Sequence, residues 1–170
     1  MHLNNYDAII QKADLIVKRL GTRKAEQIAG ELGIKIIEMH SGKLKGSYIV
    51  IKRNRYIFIK DDLDEIMRSI VILHEIGHDL LHRKEVRMFK EFSLFDMSRS
   101  RMEYEANLFA AHIMLPDEEM IEFIREGYSV DQIAAMMNSD INLVALKAAD
   151  LSRRGYSFRP QEYSSKFLKG

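Results

Sequence analysis

The chain has 170 residues, 46% of them hydrophobic, with a net charge of +1 and no cysteine. That length buries one core, or a core and a small appendage. Disulfides and thiolate metal sites are excluded, and the balanced charge creates no field favouring nucleic acid or a membrane surface.

The first ten residues lack a basic segment leading into an apolar core, and no apolar run approaches a membrane span, so a soluble, cytoplasmic protein is expected. Helical spacing of Tyr6, Ile9, Ile10, Ala13, Ile16, Val17 and Leu20 predicts a first helix over 6–20, stopping at Gly21. Thr22 reads as the N-cap of a second helix through Leu32, with Gly33 as its stop. Three strand-like runs follow at 34–39, 44–51 and 56–60, and they predict a small antiparallel meander with one solvated face. Asp61 or Asp62 can cap the next helix, which has acidic residues in its first turn.

That helix carries His74-Glu75-Ile76-Gly77-His78, an H-E-x-x-H pattern. At ~100° per residue, His78 lies about 40° round from His74, and Glu75 about 60° beyond His78. Both imidazoles therefore reach one metal, while Glu75 stands beside them, placed to act on a water there. Neutral imidazole suits zinc, and a carboxylate beside its water suits a general base. Ile66, Ile70, Val71, Leu73, Ile76, Leu80 and Leu81 make the helix apolar on several sides, hence buried. Two histidines and a glutamate there are costly unless ligated or hydrogen-bonded. Gly77, in mid-helix, is explained by close packing of another element.

A third ligand is still needed, because catalytic zinc takes three protein ligands and one open position. The extended motif with a third histidine is closed, since Leu81 and Lys84 occupy its glycine and histidine positions. Residues 85–97 fit neither period and read as a loop with a short strand, lying over the site. A helix over about 99–114 offers Glu103 and Glu105. Glu103 shares a stripe with Asn107, Ala110 and Met114, and small Ala110 allows close approach to the motif helix. Glu103 is the expected third ligand, and Asn107 is placed to hold the second nitrogen of a ligating histidine. Glu105, nearly opposite, reads as a surface or structural residue. His82, one turn past His78, is a candidate to tune the metal's surroundings or bind substrate. Asp79 either supports a ligand or is a surface charge. Tyr104, His82 and the 85–97 segment are candidates to stabilise an oxyanion.

Shorter helices are expected at 117–126, 130–137 and 140–153, the last two spaced like a helix-turn-helix pair. The second of these carries a single basic residue, Lys147, over Ile141–Leu151, whereas phosphate contacts demand several. Direct nucleic-acid binding is therefore not expected.

Three blocks of the chain resemble the ImmA/IrrE family of zinc metallopeptidases. They are Ala25-x-x-Ile28-Ala29-x-x-Leu32-Gly33-Ile34, then Ile72-Leu73-His74-Glu75-Ile76-Gly77-His78-x-x-Leu81-His82, and Glu103-x-Glu105-Ala106-Asn107-x-Phe109-Ala110-Ala111 running on to Leu115-Pro116. One departure is His112, where family chains carry another residue. The resemblance implies an α+β zincin-like fold, with His74, His78 and a glutamate as Zn²⁺ ligands. It also implies cleavage of a helix-turn-helix transcriptional repressor in a mobile-element or stress-response circuit. The expected organisation is a catalytic domain over 1–116, a helical appendage packed on it over 117–155, and a tail over 156–170. The alternative is a non-proteolytic regulatory protein that uses its zinc unit structurally, a reading that an intact Glu75 disfavours.

Overall fold

A computed structural model describes residues 5–40, 45–83 and 97–156. The loop expected over 85–97 (all but Met97) and the tail beyond Tyr156 lie outside the described residues. The chain divides into two compact units, Met1–Met114 and Leu115–Gly170.

The first unit is α+β. Helices α1 (Asn5–Leu20) and α2 (Ala25–Glu31) precede strands β1 (Ile34–Met39), β2 (Gly46–Ile51) and β3 (Asn54–Lys60), followed by α3 (Glu65–Leu81) and α4 (Met97–Met114). The second helix starts later than expected because the Thr22 hydroxyl accepts the Lys24 N–H in a tight turn and caps nothing further on. Similarly, Asp64 caps α3 by accepting the Met67 N–H. The expected caps are engaged elsewhere, Asp61 with His40 and Asp62 with Lys60.

The sheet corrects the expected antiparallel meander. Its order is β1-β3-β2, with β3 parallel to β1 and antiparallel to β2. Ile57 and Ile59 of β3 are fully buried, whereas β1 buries only Ile34. The strand with the most deeply buried residues takes the centre, where both edges are paired. A two-residue turn joins β2 to β3, with Lys52 and Arg53 both at positive φ (46° and 68°), the geometry of a primed hairpin turn.

The Lys60 N–H bonds the Lys45 carbonyl, and this pair sets the ladder's parity. The backbone groups of Ser47, Ile49 and Ile51 point at β3, and those of Gly46, Tyr48 and Val50 point outward from the edge. Among the described residues no strand pairs with that edge.

Helix α3 packs its buried residues Val71, Ile72, Leu73 and Ile76 into a core shared with Ile9, Ala13, Ile28, Ile57, Ile59 and Phe109. At ~25 cal/mol per Å², each such side chain contributes about 1.5–3 kcal/mol. Helix α4 is buried from Glu105 to Ile113 except at half-buried Asn107, so Glu105 is not at the surface.

The second unit holds α5 (Asp117–Arg125), α6 (Val130–Met136) and α7 (Ile141–Arg153), close to the spans the periodicity predicts. Ser129 and Gln132 form a capping box on α6, and Asp140 caps α7. Leu115, Met120, Ile133, Leu143, Val144 and Leu151 are buried. Lys147 points inward, with none of its side chain exposed, and pairs with Asp117. Arg154 reaches Asp117 at 2.7 Å and Asp150 at 2.9 Å. Among the described residues no helix is long and apolar enough to cross a membrane.

Candidate metal centre

Helix α3 presents two parallel ridges. Val71, Glu75 and Asp79 follow one another at i, i+4 and i+8 and face β2, while His74, His78 and His82 form the ridge beside them. Helix α4 lies against the second ridge. Its approach is close because Gly77 faces Ala106: a methyl group at Gly77 would stand 3.1 Å from Ala106 Cα and 3.3 Å from its Cβ.

That approach brings Glu103 to the two histidines. His74 Nε2 and His78 Nε2 are 3.0 Å apart. Glu103 Oε2 lies 3.2 Å from His74 Nε2, and its Oε1 lies 3.5 Å from His78 Nε2. Nitrogen and oxygen ligands at about 2.0–2.1 Å from a tetrahedral ion stand about 3.3–3.4 Å from one another. The three separations bracket that value, so the donor set fits one small divalent ion. His74, His78 and Glu103 are also the group found among the described residues with ligand atoms close enough to share an ion, all within 4.8 Å.

Asn107, one turn beyond Glu103, has its Oδ1 2.8 Å from His74 Nδ1. The ring donates there, which leaves the Nε2 lone pair turned toward Glu103 and His78. The Nδ1 of His78 is buried with no hydrogen-bond partner among the described residues.

The charges are strongly coupled. In their protonated forms His74 and His78 donate to Glu103 and hold its carboxyl well below the usual carboxylate range. Burial pushes the His74 imidazole down, but Glu103, Glu75 and Asn107 outweigh it and leave it raised. Glu75, 8% exposed, is raised by burial against the pull of both imidazoles and of the Tyr48 backbone N–H.

Other sequence candidates lie nearby. His82 is buried at the end of α3, its ring 5.6 Å from that of His78, and its Nε2 is 3.5 Å from Glu105 Oε2. Glu105 also pairs with Arg101 at 3.4 Å, so the two glutamates of α4 are bound to different partners on α3 and α4. Tyr104 is half-exposed, with its ring edge-on to Tyr6.

Sequence reasoning missed Gly46, Tyr48, Arg55 and Arg83. Asp79 is no surface charge: it is 1% exposed, accepts from the Tyr48 hydroxyl, and is bonded by Arg55 at 2.7 Å and by Arg83 at 2.8 and 2.9 Å. The available signal was its spacing, four residues after Glu75 on a helix buried on several sides.

The family match and a named relative place the chain in a metallopeptidase class. Residues 29–148 match the Peptidase M78 family, described as the IrrE N-terminal-like domain, and the chain belongs to that family. It is 33% identical over 150 residues to "Uncharacterized immunity region protein 2" of Bacillus phage phi105, covering 86% of this chain and 92% of that one. It is 29% identical over 132 residues to "Metallopeptidase ImmA" of Bacillus subtilis (strain 168), covering 76% and 78% respectively. Among solved structures, a "Mycobacterium tuberculosis transcriptional regulator" superposes with a TM-score of 0.63 at 15% identity and so shares the fold. The match covers 88% of this chain, which spans about half (49%) of that longer one.

Proposed function

We propose that this chain is a zinc-dependent endopeptidase that cleaves a helix-turn-helix transcriptional repressor in the cytoplasm, within a mobile-element or stress-response circuit. The observation that carries the chemistry is the set of separations among His74 Nε2, His78 Nε2 and the Glu103 carboxylate, 3.0 to 3.5 Å, beside a buried Glu75. His74, His78 and Glu103 hold Zn²⁺, with Asn107 orienting His74 and His82 supporting the ring of His78. When bound, Zn²⁺ supplies Lewis-acid polarisation of the scissile carbonyl and an acidified water.

Glu75 is the general base. It takes the proton from the attacking water and passes it to the leaving amine, a role suited to a carboxylate whose proton affinity is raised by burial. The outward backbone groups of Gly46 and Val50 offer an extended substrate segment the hydrogen bonds of an added strand. Residues 1–116 form the catalytic domain, and 117–155 a helical appendage. The repressor assignment draws on the relatives: one is named for a phage immunity region and another is a named metallopeptidase.

Incubating the zinc-loaded chain with the repressor encoded beside its gene tests the reading. Wild type should cut the repressor, and Glu75→Gln should bind it without cutting. If Glu75→Gln relieves repression in cells as well as wild type does, the non-proteolytic binding role replaces this one.

A further inference from the structure

Strand β2 meets α3 at two points. At its first residue, a methyl group at Gly46 would stand 2.3 Å from Val71 Cγ1, 3.3 Å from Glu75 Oε1 and 3.5 Å from Glu75 Cγ. Two positions on, the Tyr48 hydroxyl donates to Asp79 Oδ1, and both residues are buried. Gly46 and Tyr48 share one face of the strand, and Val71, Glu75 and Asp79 share one ridge of the helix. The strand therefore lies along the ridge, with the bare backbone of Gly46 seated on Val71 and Glu75.

The Tyr48 end is held from several sides. Arg55 of β3 bonds Asp79 at 2.7 Å and also donates to the Leu32 carbonyl at the end of α2. Arg83, just beyond α3, bonds the same carboxylate at 2.8 and 2.9 Å. The Gly46 end is set by the side chain it lacks. Carbon atoms in contact settle at about 3.5–4.0 Å, so a methyl 2.3 Å from Val71 Cγ1 must gain about 1.2 Å. Val71 cannot supply that distance: it is buried, and a valine in a helix keeps essentially one χ1 rotamer. The strand end has to lift instead, pivoting about the Tyr48 anchor.

We propose that Gly46 is a positioning residue: its missing side chain lets the start of the edge strand seat on Val71 and Glu75. That seat sets how far a substrate strand paired to the outward groups of Gly46 and Val50 stands from His74, His78 and Glu103. This role rests on the peptidase reading above and adds to it the contact that fixes the substrate's distance. Glycine inside a strand weakens it and commonly marks a close approach of another element, and here the approach is to the helix that carries the general base.

Gly46→Ala tests this in the full zinc-loaded chain, with the repressor encoded beside its gene as substrate. The lifted strand keeps its outward backbone groups but holds them about 1 Å further from α3, so kcat should fall about 100-fold with KM within about threefold. Zinc content should stay at the wild-type value, because no ligand candidate is among the atoms a methyl at Gly46 would meet. Gly46→Ala combined with Val71→Ala removes Cγ1 and gives the new methyl its space. The remaining contact, with flexible Glu75, yields by a few tenths of an ångström, so kcat should return to within about tenfold of wild type. Ile28→Val, a core substitution in α2, should lower stability and leave kcat at the wild-type value.

Crystal structures of the zinc-loaded variants read the strand without any substrate. The Cα at position 46 should lie about 1 Å further from α3 in Gly46→Ala and return to its place in the double variant. An unmoved strand in Gly46→Ala overturns the proposal, as does a moved strand with unchanged kcat or an effect confined to KM. If Gly46→Ala fails to fold, a double variant that folds but stays about 100-fold slow overturns it. A wild-type chain that cuts no repressor refutes the peptidase reading instead, and the crystal structures decide the seat of the strand independently.

Discussion

Gly77 of α3 lies directly against Ala106 of α4, and a methyl group between the two helices would fit only if they gave by a few tenths of an ångström. This contact sets the distance at which Glu103 meets His74 and His78, because the three ligand candidates sit within one turn of it on either helix. Gly77→Ala adds about 1 kcal/mol of helix propensity but forces a shift at a backbone contact, and overpacking costs about 1–3 kcal/mol. The net effect should be destabilising, with zinc affinity lower by about 10- to 100-fold. Metal titration and denaturant unfolding of the variant check both. Ala106→Gly in the same chain should recover part of the loss, and a fully zinc-competent, more stable Gly77→Ala would refute the argument.

Zinc content should separate the two glutamates of α4. Wild type purified without chelator should hold one Zn²⁺ per chain, and His78→Ala and Glu103→Ala should each lose it. Glu105→Ala should keep the metal while losing about 1–3 kcal/mol of stability, since it leaves buried His82 without its carboxylate. Metal loss in Glu105→Ala with retention in Glu103→Ala would reverse the assignment.

Glu75→Gln should retain zinc and wild-type unfolding behaviour, because Glu75 lies on the ridge facing β2 and not on the ligand ridge. Repressor cleavage should fall by several orders of magnitude, since an amide of the same shape cannot accept the water's proton. Parallel metal analysis and a cleavage time course decide it. Loss of metal from this variant would make Glu75 a ligand.

The second unit carries a pH dependence of its own. Asp117 is raised by its burial, but Arg154 and Lys147 outweigh this and hold it below its ordinary 3.8. Burial holds Lys147 down at about 8 despite its pairing with Asp117. A depressed carboxyl stabilises the fold fully above its unfolded value and loses that contribution as pH falls through the folded one. The stability gap between wild type and Asp117→Asn should therefore be constant from pH 5 to 7 and narrow below about pH 4. Denaturant unfolding across that range measures it, and a gap that widens on acidification would contradict the pairing.

How much of this was legible in the residue order depends on the range of the interaction. The side-by-side placement of His74 and His78, with Glu75 off to one side, follows from the rotation per residue within one helix, and the burial of that helix follows from apolar residues on several of its sides. The stripe Glu103–Asn107 was visible for the same reason, as were the spans of α5, α6 and α7. The resemblance to a metallopeptidase family was carried by these local patterns. The strand order was not: alternation marks a strand but does not say which neighbour it pairs with, and β3 took the central place because its isoleucines are the most deeply buried. Nor were the partners that Asp79 finds on the sheet, because Tyr48 and Arg55 lie on two other elements, 31 and 24 residues before it. Residue spacing determines which groups share a face of one element. Only the packing of α3 against α4 and β2 decides which of those faces meet, and there the contact of Gly77 with Ala106, and the pairing of Tyr48 with Asp79, set the surroundings of Glu75.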